Sequence, residues 1–165
     1  MKKINSNLDE RIKKLHPEHK RLMVAIVVSE FNSSITEQLL MGAISLLKKL
    51  SLYDQYKMVS VPGSFEIPLA AQKLAQSGKF DAIVCLGCVI QGETPHFDYI
   101  CQQVSRGVGE VGLKYGLPVT FGVITADTLE QAEERADTKR GNKGADAVLC
   151  AVEMAILMER LTGDG

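Results

Sequence analysis

Asp81-Ala-Ile-Val-Cys-Leu-Gly-Cys-Val-Ile-Gln-Gly-Glu-Thr-Pro-His96-Phe-Asp-Tyr99 decides the fold. Its first half is an unbroken apolar run rich in Val and Ile, the pattern of a strand buried on both faces of a helix-covered parallel sheet. At Gly92 the character changes. Thr94 followed by Pro95 is a helix start: a hydroxyl at the cap, then Pro at the first helical position. A buried strand, a tight turn and a helix with His96 in its first turn therefore follow one another. In open α/β sheets ligands bind beyond the carboxyl ends of the strands. A helix N-terminus there presents free N–H groups and a positive dipole end to an anion. His96 is then either a proton carrier beside that anion or a surface histidine near a capped helix.

The same grammar repeats on both sides of this stretch. Residues 22–29 form a first strand that ends at Glu30-Phe31-Asn32-Ser33, where Asn32 or Ser33 caps the next helix. In that helix Ile35, Leu39, Ala43, Leu46, Leu47 and Leu50 make a 3.6-period apolar stripe. Phe31, left in the turn, either packs back on the core or offers a face to a ligand. Residues 56–61 are a second strand, Pro62-Gly63 a turn, and residues 67–77 a helix that tolerates Pro68 in its first turn. Between them lies Ser64-Phe65-Glu66, where Glu66 serves the helix dipole or accepts hydrogen bonds from ligand hydroxyls.

A helix over 95–115 follows the central stretch. It contains Gly107-Val-Gly109-Glu-Val-Gly112, a G-x-G-x-x-G that does not follow a strand and so is no dinucleotide fingerprint. Each such glycine costs a helix about 1 kcal/mol relative to Ala, which points to close helix packing. Residues 117–125 are a fourth strand with Phe121 near its middle, a core residue or an edge contact to another subunit. A short helix over 129–136 leads to Arg135, Lys139, Arg140 and Lys143, either cations at a helix C-terminus or an anion clamp. A last helix covers 145–161, and Gly163-Asp-Gly165 is a loose tail. Strand and helix alternate four times before that final helix. The expected fold is α/β, a flavodoxin-like three-layer αβα sandwich with a four-stranded parallel sheet.

The 165 residues suit one domain over 22–165, preceded by a polar extension over 1–21 in which Ile4, Leu8, Ile12 and Leu15 recur at helical spacing. That extension is either a short amphipathic helix or a solvated arm lying on a neighbour. His16-Pro-Glu-His19 does not have the H-E-x-x-H spacing of a zinc protease. A net charge of −1 gives no reason to expect nucleic acid or an acidic membrane as a partner. No apolar run is long enough to cross a bilayer, and no secretory pattern opens the chain, so the cytoplasm is expected. Cys85 and Cys88 fall at odd spacing on a strand and point to opposite faces, so they read as buried thiols rather than a redox or metal pair. Cys101 and Cys150, in helical patterns, read the same way.

Five segments in order resemble the lumazine synthases: Phe31-Asn32, Val61-Pro-Gly-Ser-Phe-Glu66-Ile-Pro68, Leu86-Gly-Cys-Val-Ile-Gln-Gly-Glu-Thr-Pro-His96, Phe121-Gly-Val123 and Glu134-Arg-Ala-Asp-Thr-Lys-Arg-Gly-Asn-Lys-Gly144. The resemblance implies condensation of 5-amino-6-(D-ribitylamino)uracil with 3,4-dihydroxy-2-butanone 4-phosphate to 6,7-dimethyl-8-ribityllumazine, the penultimate step of riboflavin biosynthesis, with no metal or organic cofactor. It implies that Phe31 stacks on the pyrimidine and that Ser64 and Glu66 hold the ribityl chain, with Phe65 also at the substrate. The backbone of Cys88, Val89 and Ile90 would read the heterocycle's edge. Glu93 and Thr94 would bind phosphate, Glu93 through its backbone with the side chain turned away. His96 would move protons, Arg135 pair with phosphate and Lys143 approach a pyrimidine carbonyl. Phe121 matches a residue supplied by the adjacent subunit. Gln91 departs from the family, where Arg or Lys is common, and Arg140 is the residue placed to compensate.

The implied assembly is a homopentamer with sites at subunit interfaces. Gly141-Asn-Lys-Gly144 resembles members that close twelve pentamers into a 60-subunit icosahedral shell, and a riboflavin synthase is a further implied partner. Three other functions compete: a non-catalytic flavin or lumazine carrier, a shell protein with a vestigial site, and a phosphate-binding regulator. Retention of Phe31, Glu66, His96 and Arg135 favours the enzyme.

Overall fold

The computed structural model describes residues 8–15 and 17–163. Four strands, β1 (Val24–Ser29), β2 (Tyr56–Val61), β3 (Ala82–Ile90) and β4 (Val119–Ala126), form one sheet in the order β2-β1-β3-β4. Every pairing is parallel. Parallel neighbours need crossovers, and these are the helices α2 (Ser33–Lys49), α3 (Ile67–Gln76) and α4 (His96–Tyr115). A short helix α1 (Leu8–Lys13) precedes β1; α5 (Leu129–Ala136) and α6 (Lys143–Thr162) follow β4.

Both faces of the sheet are covered, which is why its strands are apolar throughout. On one face Val24, Ile26, Val84 and Leu86 pack against α2, α5 and α6. On the other, Ala25, Val27, Ile83 and Cys85 pack against α3 and α4. The architecture is the flavodoxin-like αβα sandwich. Cys85 and Cys88 belong to opposite faces, as their spacing requires. Burial pushes the Cys85 thiol up to about 12 and the Cys88 thiol up to about 11, so both stay protonated at neutral pH.

The glycines of the G-x-G-x-x-G lie inside α4. A Cβ on Gly107 would stand 2.7 Å from Pro68 of α3, and one on Gly112 would stand 3.3 Å from the Leu117 carbonyl. Both allow close approach within the subunit; a Cβ on Gly109 would meet nothing within 4 Å.

Several boundaries move from their expected places. β1 begins at Val24, where its ladders to Tyr56 and Ala82 begin. β4 begins at Val119, because Pro118 has no N–H and contributes only a carbonyl, which accepts from the Ile83 N–H. α6 begins at Lys143 rather than 145, because Asn142 caps it by accepting the Ala145 N–H at 3.1 Å. Near the N-terminus Leu8, Ile12 and Leu15 pack against the α2/α6 side of the core. Arg11 holds the segment there with a two-pronged ion pair to Glu153 of α6, at 3.0 and 2.5 Å. Ile4, His16 and the 164–165 end lie outside the described residues. Among the described residues no helix is long and apolar enough to cross a membrane.

Candidate functional site

Strand order makes the site. Chain progression runs outward from β1 to β2, then returns to place β3 on the other flank of β1. The crossovers therefore leave the sheet in opposite directions at the β1/β3 boundary, and a crevice opens beyond those two carboxyl ends. A cleft of about 660 Å³ lies there. Its lining comes from three turns: the one after β1 (Phe31, Asn32), the one after β2 (Gly63 to Glu66) and the one after β3 (Gly92, Thr94, His96). The ends of β3, at Cys88, Val89 and Ile90, form its floor.

Phe31 is 70 % exposed, so it does not pack back on the core. Its backbone is pinned: the Phe31 N–H donates to the Pro62 carbonyl at 3.1 Å, and the Glu30 N–H to the Val61 carbonyl at 2.8 Å. Asn32 occupies the cap position of α2 in the left-handed region, φ 58°, and makes no side-chain cap. Its amide instead donates to the Cys88 carbonyl at 2.9 Å, tying the β1 turn to the end of β3. The capping role expected of Asn32 is thus replaced by a cross-strand clamp. One lone pair of the Cys88 carbonyl is thereby engaged within the protein.

Ser64 opens a single 3-10 turn, Ser64–Glu66, and is buried at 6 % exposure. Among the described residues its hydroxyl has no hydrogen-bond partner. It sits over Gly87, where an added Cβ would come within 2.7 Å of the Ser64 oxygen. Phe65 and Glu66 are exposed, with the Glu66 carboxylate folded over Gly63.

The helix start expected at Thr94-Pro95 is displaced by one residue. α4 begins at His96 with Pro95 in the cap position, and the Thr94 hydroxyl accepts the His96 N–H at 3.5 Å. Thr94 thus guards the helix N-terminus from just outside it, while His96 is exposed at the cleft.

Two apolar residues absent from the sequence expectation also line the cleft, Phe97 and Ile100. The signal was present. With Val104, Val108 and Val111, which are buried, they continue one helical stripe. Its first two members wall the cleft, Ile100 while also packing on the α3/α4 side of the core.

The structure brings together Phe31, Ser64, Phe65, Glu66, Cys88, Val89, Ile90, Thr94 and His96. Glu93, Phe121, Arg135 and Lys143 do not line the cleft. Glu93 is exposed at the adjoining turn. Phe121, 43 % exposed, lies in β4, an edge strand. The exposed Arg135 turns back on its own helix and donates to the Gln131 carbonyl at 2.8 Å. Lys143 pairs with Asp146 at 3.3 Å. Neither Gln91 nor Arg140 lines the cleft, and Arg140 faces Asp137 at 3.6 Å and Glu134 at 3.9 Å. The basic run of the sequence is, in space, threaded with acids, and a hollow of about 360 Å³ there is lined by Glu130, Glu133, Glu134 and Asp137 beside Arg140. Among the described residues no three His, Cys, Asp or Glu side chains converge as metal ligands.

Chemically, the cleft offers an aromatic face, a carboxylate, a buried hydroxyl, the backbone of a strand end, a helix N-terminus and an imidazole. That set can stack a planar heterocycle, hold a polyol, seat an anion and transfer a proton. A family model described as 6,7-dimethyl-8-ribityllumazine synthase matches residues 21–159, which include all four strands and every residue lining the cleft.

Proposed function

Since the chain belongs to the 6,7-dimethyl-8-ribityllumazine synthase family, a family of transferases, we propose that it condenses 5-amino-6-(D-ribitylamino)uracil with 3,4-dihydroxy-2-butanone 4-phosphate, releasing phosphate and water. The observation that carries this reading is the convergence of Phe31, Ser64, Glu66 and His96 around one cleft at the β1/β3 boundary. Phe31 stacks on the pyrimidine, Ser64 and Glu66 accept or donate to ribityl hydroxyls, and the backbone of the β3 end reads the ring edge. Phosphate sits at the start of α4, where Thr94 accepts a helix N–H and donates its own proton to the anion.

Four steps follow. The 5-amino nitrogen attacks the ketone and water leaves as an imine forms. A proton is lost from carbon, the C–O bond breaks and phosphate departs. The enol left behind takes a proton on carbon and becomes a ketone, and the ribityl-bearing nitrogen attacks that carbonyl and closes the ring. Loss of a second water then gives the product. His96 moves protons in these steps, while holding two substrates through all of them supplies most of the rate.

Phe121, Arg135 and Lys143 act on the cleft of a neighbouring copy. Their placement off the subunit's own cleft supports a site completed across an interface, in a homopentamer. The larger form is a 60-subunit shell of twelve pentamers. The protein acts in the cytoplasm and hands its product to a riboflavin synthase. The test is anaerobic. Both substrates are mixed with assembled protein, and lumazine absorbance and fluorescence are followed against a protein-free control. Acceleration is expected; none from a folded, assembled sample would discard the catalytic reading.

A further inference from the structure

One buried amide joins three helices beside the two cations just assigned to substrate. Asn142 is only 5 % exposed. Its Nδ2 donates to the Gln38 carbonyl of α2 at 2.8 Å and to the Ala136 carbonyl, the last residue of α5, at 2.5 Å. Its Oδ1 accepts the Ala145 N–H at 3.1 Å and so starts α6. Both donors and the acceptor are used, and each partner belongs to a different helix.

The fit is made by two glycines. A Cβ on Gly42 of α2 would fall 2.1 Å from the Asn142 Oδ1, and a Cβ on Gly144 would fall 2.0 Å from the Leu39 carbonyl. Gly42 is thus a notch that receives the amide, and Gly144 lets α6 start directly against the backbone of α2. Arg135 immediately precedes Ala136, and Lys143 immediately follows Asn142. The amide therefore fixes the backbone one residue from each cation. Both guanidinium and ammonium remain exposed, each bonded to a partner on its own helix.

We infer that Asn142 is a positioning residue for the phosphate-bearing substrate: it sets the distance between Arg135 and Lys143 and their height against α2. The inference rests on the reading of Arg135 as the phosphate partner. A buried carboxamide suits the task because it is uncharged, donates twice and accepts once, and its geometry is planar. An error of about 1 Å in a substrate clamp costs up to about 100-fold, so a small shift of either helix end is felt.

The test uses assembled full-length protein and two independent perturbations. Asn142→Ser keeps an oxygen to cap α6 but loses both donations. Gly42→Ala leaves Asn142 in place and pushes its amide out of the notch. KM for the butanone phosphate and the inhibition constant of inorganic phosphate are measured well below each variant's melting temperature, with Arg135→Ala alongside. Both variants are expected to raise both constants about tenfold. A purely structural role would lower the melting temperature and the active fraction, hence apparent kcat, and leave both constants unchanged. If Arg135→Ala raises them while the two variants do not, the positioning role is overturned. If Arg135→Ala leaves them unchanged, the phosphate reading fails and this inference with it. Should Asn142→Ser not fold, Gly42→Ala decides.

Discussion

Replacing Phe31 by Ala separates two kinds of work that an aromatic residue can do. Fully burying a Phe contributes about 1.5–3 kcal/mol. With 70 % of its surface exposed, Phe31 retains under about 1 kcal/mol of that as stability. For a chain of this length the melting temperature should fall by no more than about 4 °C. The backbone bond from Phe31 to the Pro62 carbonyl does not involve the side chain and survives. Binding is another matter. An aromatic ring stacked on a heterocycle is worth about 1–3 kcal/mol. Affinity for the ribitylaminouracil should therefore drop about 5- to 150-fold. Phe31→Leu, which keeps bulk but no ring face, should behave like Ala in binding and like wild type in stability. The assay is calorimetric titration of the pyrimidine substrate, under anaerobic conditions, paired with thermal denaturation. A drop of more than about 10 °C with unchanged affinity would refute the reasoning and make Phe31 a packing residue.

Two further outcomes bear on the sheet beneath the cleft. Burial pushes the Cys85 thiol from 9.0 to about 12, so its contribution to stability is full below pH 9 and is lost as pH rises from 9 toward 12. The loss approaches about 1.4 kcal/mol per pH unit. Urea unfolding at pH 9 and pH 10.5 should show the gap between wild type and Cys85→Ala narrowing by about 1.6 kcal/mol, and a constant gap would count against the thiol. Gly87→Ala places a methyl 2.7 Å from the Ser64 hydroxyl and 3.0 Å from Ile67. It should cost about 1–3 kcal/mol of stability and raise the KM of the pyrimidine substrate, whereas a stability loss with unaltered KM would show that Ser64 does not hold the ribityl chain.

Legibility of this chain follows from what each signal reports. Apolar runs report burial, so all four strands could be read, yet Leu22 is buried without joining a ladder and the true start of β1 waits on its partners. Gly144 read as a link before the last helix; it lies inside α6 because its lack of a Cβ serves contact with α2, a partner far away in sequence. Asn32, with Ser33 as the alternative, read as a cap for the same reason of locality. Its left-handed backbone sends the amide to Cys88, 56 residues away. At the cleft, residues just past strand ends could be assigned because strand ends face ligands. Phe97 and Ile100 could not be separated from the core stripe they continue. Arg135 and Lys143 show the remaining limit: the basic run allows an anion clamp in sequence, but in space each cation turns to a partner on its own helix and neither lines the cleft.

The ion pair between Arg11 and Glu153 joins positions 142 residues apart, and that separation sets a timetable for synthesis. Ribosomes extend chains at about 5–20 residues per second, and early segments begin to fold as they emerge. The last residue to line the cleft, Ile100, precedes β4, which the lining residues Cys88 to Ile90 pair with. The α2 side of the sheet stays incomplete longer, because α6 supplies Val148, Leu149 and Val152 to it near the very end. For several seconds Val24, Ile26 and Val84 lie against an unfinished layer, and the N-terminal helix, which can already pair with Lys49 of α2 through Asp9, lacks its partner Glu153. The lining of the cleft is thus made on a half-covered sheet, and the growing chain exposes apolar area that α6 later covers.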